Sequence, residues 1–132
     1  MKLITENETL YEHAILRPKV TGQQFDFWVD EFGKNRKTKH NSPRYKVTAN
    51  NIELDLILKP DNTVECVNDA RTQRKFKHLD DAIAFIQKFS DPLRMQWNGD
   101  IDTYELATVI RLTEKQGYDI LDALSKVASG NF

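Results

Sequence analysis

Segments that would place a protein in a membrane or outside the cytosol are missing from this sequence. Residues 1–4 are followed at once by polar residues, so no signal peptide is expected there. No stretch approaches the roughly 18 consecutive apolar residues of a membrane-spanning helix. The single cysteine, Cys66, cannot form an internal disulfide, which fits a reducing compartment. We therefore expect a cytoplasmic protein without a membrane partner.

Motifs that carry catalysis or bind metals are also missing. The sequence has no Cys-x-x-Cys pair, no His-Glu-x-x-His, no glycine-rich phosphate loop and no Gly-x-Ser-x-Gly. His13, His40 and His78 are widely separated, and His78 stands at a predicted helix start, where a polar residue has an ordinary structural role. We predict no catalytic residue, no metal and no cofactor, and a protein that is not an enzyme.

Large apolar side chains are nevertheless numerous enough to build one core. The 132 residues include two Trp, four Tyr and seven Phe, and hydrophobic residues make up 39%. A chain of this length suits one domain, and burial of these side chains offsets the loss of chain entropy. We predict a single folded domain spanning 1–132.

Short alternating stretches in the first half of the chain are typical of β-strands. Asn50-Asn51 and the segment 60–62 separate three of them with residues that favour tight turns. The expected strands are 44–48, 52–58 and 63–67, with a strand or extended arm at 11–16 and a short strand or extended piece at 74–77. The pattern predicts an antiparallel meander of three to five strands across about residues 11–77.

The second half has the apolar spacing of helices. We expect a helix from Leu79, one after Ser90-Asp91 that runs to Trp97, one from Asp102-Thr103, and a last helix that ends near Ala128. The sequence thus predicts an α+β fold, in which a helical C-terminal half of about residues 79–128 packs on the meander.

Residues 22–32 allow two interpretations. As a helix, Phe25, Trp28, Val29 and Phe32 would share one face, since they are spaced i, i+3, i+4 and i+7. As a strand, Phe25, Phe27 and Val29 would alternate with polar residues and Trp28. The residues alone leave both open.

Several stretches resemble, in order, a family of short uncharacterised bacterial proteins. The resemblance lies in Leu-Arg-Pro-Lys-Val-Thr-Gly at 16–22, in Trp28-Val29, in a basic loop with a histidine at 40–47, and in Trp-Asn-Gly-Asp-Ile-Asp-Thr at 97–103. It covers about residues 15–110. The resemblance implies an α+β fold and favours the strand at 22–32, but the family has no assigned activity.

A wider group to which this family is distantly similar has a strand with a Pro-His-Phe-His-Val motif. Some of its members are encoded beside toxin–antitoxin-type partners. Here Pro-Arg-Tyr-Lys-Val at 43–47 stands in that place, so both histidines are missing. No metal-binding or catalytic role of those histidines carries over to this chain.

Charge is distributed unevenly along the chain. The net charge is −1, but residues 34–78 hold eleven bases and five acids, a balance of +6, and no acid lies between Gly33 and Glu53. Two basic segments, 34–46 and 71–77, are therefore the candidate contact surface. The candidate contact residues are Lys34, Arg36, Lys37, Lys39, Arg44, Tyr45 and Lys46 in the first segment, and Arg71, Arg74, Lys75 and Lys77 in the second.

Two binding functions follow from this charge pattern. In the first, a small accessory or regulatory protein docks a macromolecular partner, most directly a protein, through the 34–46 segment. In the second, both segments bind the phosphates of a nucleic acid while Tyr45 and Phe76 stack on bases. The sequence pI of about 6.3 is low for a nucleic-acid module, so the protein partner is the first hypothesis.

Overall fold

The computed structural model describes residues 11–12, 14–30 and 42–130, and shows an antiparallel sheet with helices on one face. Each strand pairs with the next one along the chain. The strands are β1 (Tyr11–Glu12), β2 (Ile15–Leu16), β3 (Asp26–Trp28), β4 (Arg44–Ala49), β5 (Ile52–Leu58) and β6 (Val64–Cys66). The predicted α+β class, with a meander followed by a helical half, is confirmed.

The segment 11–16 forms a tight hairpin instead of the one strand or extended arm that we expected. Ala14 has a φ of 67°, a left-handed conformation that reverses the chain between β1 and β2. The register places Glu12 opposite Ile15. Because this segment contributes two short strands, the described sheet has six strands, one more than the upper limit of the prediction.

Of residues 22–32 the structure describes 22–30 and shows a strand at Asp26–Trp28, as the strand interpretation predicted. Phe25, Phe27 and Val29 are buried, whereas the residues between them are only partly buried. Phe27 lies opposite Val47 of β4, in a row of core side chains. This alternation fits a strand with one face on the core, which a helix would not produce.

A short helix that the sequence pattern did not predict comes before this strand. Helix α1 (Pro18–Thr21) has proline at its first position, where the missing N–H costs nothing. It ends at Gly22, whose φ of 74° suits glycine at a helix C-terminus.

The hairpin between β4 and β5 follows the prediction. Asn50 and Asn51 both have positive φ, 51° and 64°, as a two-residue hairpin turn requires. Six residue pairs join the two strands, from Arg44 opposite Ile57 to Ala49 opposite Ile52.

Residues 70–75 form a helix, so the expected short strand or extended piece at 74–77 is wrong. Helix α2 (Ala70–Lys75) begins at Asp69, whose carboxylate accepts a hydrogen bond of 2.7 Å from the backbone N–H of Thr72. An aspartate cap followed by good helix formers stabilises this short helix of six residues.

The four predicted C-terminal helices are present. They are α3 (Leu79–Lys88), α4 (Ser90–Asn98), α5 (Thr103–Gln116) and α6 (Ile120–Ser129). Asp102 and Glu105 form a reciprocal capping box at the start of α5. Within the ranges that the structure describes, no helix has the length and apolar character needed to cross a membrane.

The main core lies between the sheet and the helices, and phenylalanine rings join the two layers. Phe85 of α3 makes an edge-to-face contact with Phe27 of β3, with ring centroids 5.0 Å apart. Phe85 also contacts Phe25 and Phe89. Arg94 of α4 fastens the β5–β6 turn to the helices, because it donates 2.6 Å hydrogen bonds to the Lys59 carbonyl and to Asn62 Oδ1.

Candidate functional site on the open face of the sheet

The face of the sheet opposite the helices carries an ordered set of side chains, all partly or fully exposed except the buried Ile15. Directly paired residues of neighbouring strands point to the same face. One row runs Ile15, Trp28, Lys46 and Asp55, and a second row runs Arg44, Ile57 and Glu65. We call this surface the open face.

A shallow depression of about 420 Å³ lies on the open face. It is large enough for one or two side chains of a partner or for a small ligand. It is lined by Ala14, Trp28, Val29, Asp30, Arg44, Tyr45, Lys46, Asp55, Leu56 and Ile57. Trp28 and Ile57 give it apolar walls, and Arg44, Lys46 and Asp55 give it charged groups.

Trp28 is held in place by the strand that carries it. Its neighbour Phe27 is fully buried in the core, which fixes the backbone and turns the indole to the opposite face. The indole Nε1 donates a hydrogen bond of 3.0 Å to Thr48 Oγ1 on β4. The ring is thus anchored at its polar edge and remains partly exposed on the open face.

Ion pairs balance most of the charge on the open face. Arg17 pairs with Asp26 at 2.8 Å, Lys46 with Glu53 at 3.3 Å, and Lys59 with Glu65 at 2.8 Å. The hydrogen bond from Lys59 is the main reason that the pKa of Glu65 lies below its usual range, with attraction from Lys59 and Arg44 adding to it. The surface is therefore mixed in charge.

Arg44 is an exposed cation of this surface, beside the acids Asp30 and Asp55 that also line the depression. It attracts Glu65, which is already paired with Lys59. Among the described residues, Arg44 has no ion pair within 4.0 Å of its own. Its guanidinium is thus available at the rim of the depression.

The predicted contact residues are only partly brought together. Lys34, Arg36, Lys37 and Lys39 lie outside the described residues. Arg44 and Lys46 project from β4 on the open face. Arg71, Arg74, Lys75 and Lys77 are exposed on and after α2.

The second basic segment follows a turn that is hydrogen-bonded to β5. Asn68, just before α2, accepts a hydrogen bond from Asp55 N–H and donates one to the Glu53 carbonyl, whereas Arg44 lies opposite Ile57. Asp55 also lines the depression, whereas Phe76 of the second segment is buried in the core. That the two basic stretches join on one side stays a prediction, because most of the first stretch lies outside the described residues.

Tyr45 and Phe76 are core residues, so the expectation that they stack on bases is wrong. Each is only 4% exposed. The Tyr45 ring stacks on Phe27 at a centroid distance of 5.1 Å, and burial raises the pKa of its hydroxyl far above the usual value. Phe76 packs against Phe25. The alternation of β4 puts Tyr45 beside Val47 on the covered face.

Trp28 is the site residue that the sequence analysis did not select. The strand interpretation already placed it on the face opposite Phe25 and Phe27, which is a usable signal for an exposed aromatic residue. Its position beside Arg44 depends on the β3–β4 register, which the sequence does not specify.

A metal site and a cysteine nucleophile are the other kinds of site considered, within the ranges 11–12, 14–30 and 42–130. No group of three or more His, Cys, Asp and Glu side chains there is arranged to hold a metal ion. Cys66 is partly buried, and burial raises the pKa of its thiol, which makes it a weaker nucleophile.

No protein-family profile, curated protein or solved structure matches this chain. The resemblance to the short bacterial proteins therefore stays a prediction.

Proposed function

We propose that this chain is a small accessory or regulatory protein that docks a partner protein on the open face of its sheet. The observation that carries the proposal is the presence of Trp28 and Arg44 at one depression. Tryptophan and arginine are among the residues most enriched at the energetic centres of protein interfaces. Here the indole is anchored by Thr48 and the guanidinium has no ion pair among the described residues.

The balance of charge on the open face supports a protein over a nucleic acid. A surface that binds phosphates gains affinity from an excess of positive charge. On the open face, Arg17, Lys46 and Lys59 are each paired with an acid. Paired charges on the same face as a partly exposed aromatic residue fit the polar rim of a protein interface.

Capture of the partner with matched charge variants tests this proposal. Arg44→Glu and Arg74→Glu change the charge equally at two exposed positions, the first at the depression and the second on α2. We expect the wild type and Arg74→Glu to retain the same defined partner after nuclease treatment, and Arg44→Glu to lose it. Circular dichroism melting curves of both variants should match the wild type, because both side chains are exposed.

The alternative function, nucleic-acid binding, makes the opposite prediction in the same experiment. It draws on the exposed bases Arg71, Arg74, Lys75 and Lys77, with no acid between them. Capture that nuclease abolishes, and that Arg74→Glu weakens more than Arg44→Glu does, would contradict protein docking on the open face and favour the alternative.

A further inference from the structure

The surroundings of Trp28 and Arg44 allow the bound segment to be described more closely. We propose that the partner presents an extended segment with an acidic side chain at one position and an apolar side chain two residues away, the carboxylate on Arg44 and the apolar group on Trp28. This proposal rests on the proposed function.

The charge of the bound group follows from the ion pairs of the open face. Lys46 is neutralised by Glu53 at 3.3 Å, and Glu65 by Lys59 at 2.8 Å. Arg44 remains as a cation without an ion pair in the described chain, in a depression that Asp30 and Asp55 also line. A carboxylate is its complementary partner, because a guanidinium can donate two parallel hydrogen bonds to one carboxylate.

The spacing of the bound groups follows from the strand register. Trp28 lies opposite Lys46, and Arg44 is two residues before Lys46 on β4, so Trp28 and Arg44 are diagonal neighbours. Diagonal neighbours on one face of a sheet are about 7–8 Å apart. Residues i and i+2 of an extended chain point the same way and are about 7 Å apart. An extended segment therefore reaches both groups with alternate side chains.

The apolar group has a defined place as well. Trp28 and Ile57 both line the depression, from the two strands on either side of β4. A leucine-sized side chain between them would cover the exposed part of the indole. Covering it would change the environment of the ring, so the fluorescence of Trp28 would report binding.

Short peptides and a single-tryptophan variant test this inference. In a Trp97→Phe background, Trp28 is the remaining tryptophan, since the chain has two. The probe is the blocked peptide Ser-Glu-Ser-Leu-Ser, and the control is the same peptide with glutamine for glutamate. We expect both to change Trp28 fluorescence, the glutamate peptide with a Kd about threefold to fivefold lower at low salt, as for an exposed charge pair.

The Arg44→Gln variant tests whether Arg44 causes the difference in affinity between the two peptides. In this variant we expect the two peptides to bind with equal affinity, at the level of the glutamine peptide, whereas Arg74→Gln should keep the preference. A glutamine peptide that binds the parent as tightly as the glutamate peptide would overturn the acidic preference. If neither peptide bound at millimolar concentration, the proposal that the depression binds an acidic–apolar segment would be wrong. In both cases the partner-capture experiment decides the proposed function separately.

Discussion

Replacement of Phe27 with alanine is expected to lower the free energy of unfolding by about 3–5 kcal/mol, the range for large aromatic side chains in a core. Phe27 has no exposed surface, stacks on Tyr45 at 5.1 Å and contacts Phe85 edge-to-face at 5.0 Å. The substitution removes contacts on both layers of the core and leaves a cavity at the centre of the sheet. Chemical denaturation followed by circular dichroism measures the loss.

Leu121→Ala provides the control for Phe27→Ala. Leu121 on α6 is 75% exposed, so its truncation removes little buried surface. We expect a change within about 0.5 kcal/mol, as for surface positions in general. Equal losses for the two variants would show that Phe27 is not a central residue of the core.

Helix α6 is expected to exchange its amide hydrogens at least about 100-fold faster than β5, because it opens without global unfolding. Its buried residues Ala123 and Val127 pack with Val109 and Leu112 of α5 in a small cluster separate from the main core. β5 instead contributes three fully buried leucines to the main core. Hydrogen exchange resolved by residue measures both elements in one experiment.

Val127→Ala sharpens the hydrogen-exchange test. The loss of two buried carbons from the small cluster should raise exchange in α6 on the order of tenfold, at about 0.8 kcal/mol per buried carbon. Exchange in β5 should stay unchanged, because Val127 lies in the other cluster. If α6 and β5 exchanged with the same free energy of opening, α6 would belong to the same cooperative unit as the sheet.

Much of the fold could be predicted because burial imposes a period on the sequence. The strands β4 and β5 alternate buried and exposed residues, and the Asn50-Asn51 turn between them has the positive φ values that asparagine tolerates. The four C-terminal helices follow the apolar spacing of their inner faces. In each case a long segment packs one face on the core.

The short helices could not be predicted because they do not span enough residues to show a period. Helices α1 and α2 have four and six residues, too few to display a helical period. α1 depends on Pro18 and Gly22 at its ends, and α2 depends on the Asp69 cap. Such local signals also occur in turns, so they do not identify a helix by themselves.

The candidate site could be predicted only in part. Arg44 and Lys46 were selected by their charge, but charge does not show which face of β4 a residue occupies, and Tyr45 between them proved to be buried. Trp28 comes beside Arg44 through the pairing of β3 with β4, two strands separated by 15 residues in sequence. Register of that kind is a property of the folded sheet.

The affinity of the captured partner for the Arg44→Glu and Arg74→Glu variants tests the central claim most directly. If the open face is the docking surface, the Kd should rise by at least about tenfold for Arg44→Glu, because the reversed charge repels the partner's carboxylate, and should change less than about twofold for Arg74→Glu. Equal affinities of the two variants, at wild-type stability, would contradict the claim that the Trp28–Arg44 depression binds the partner.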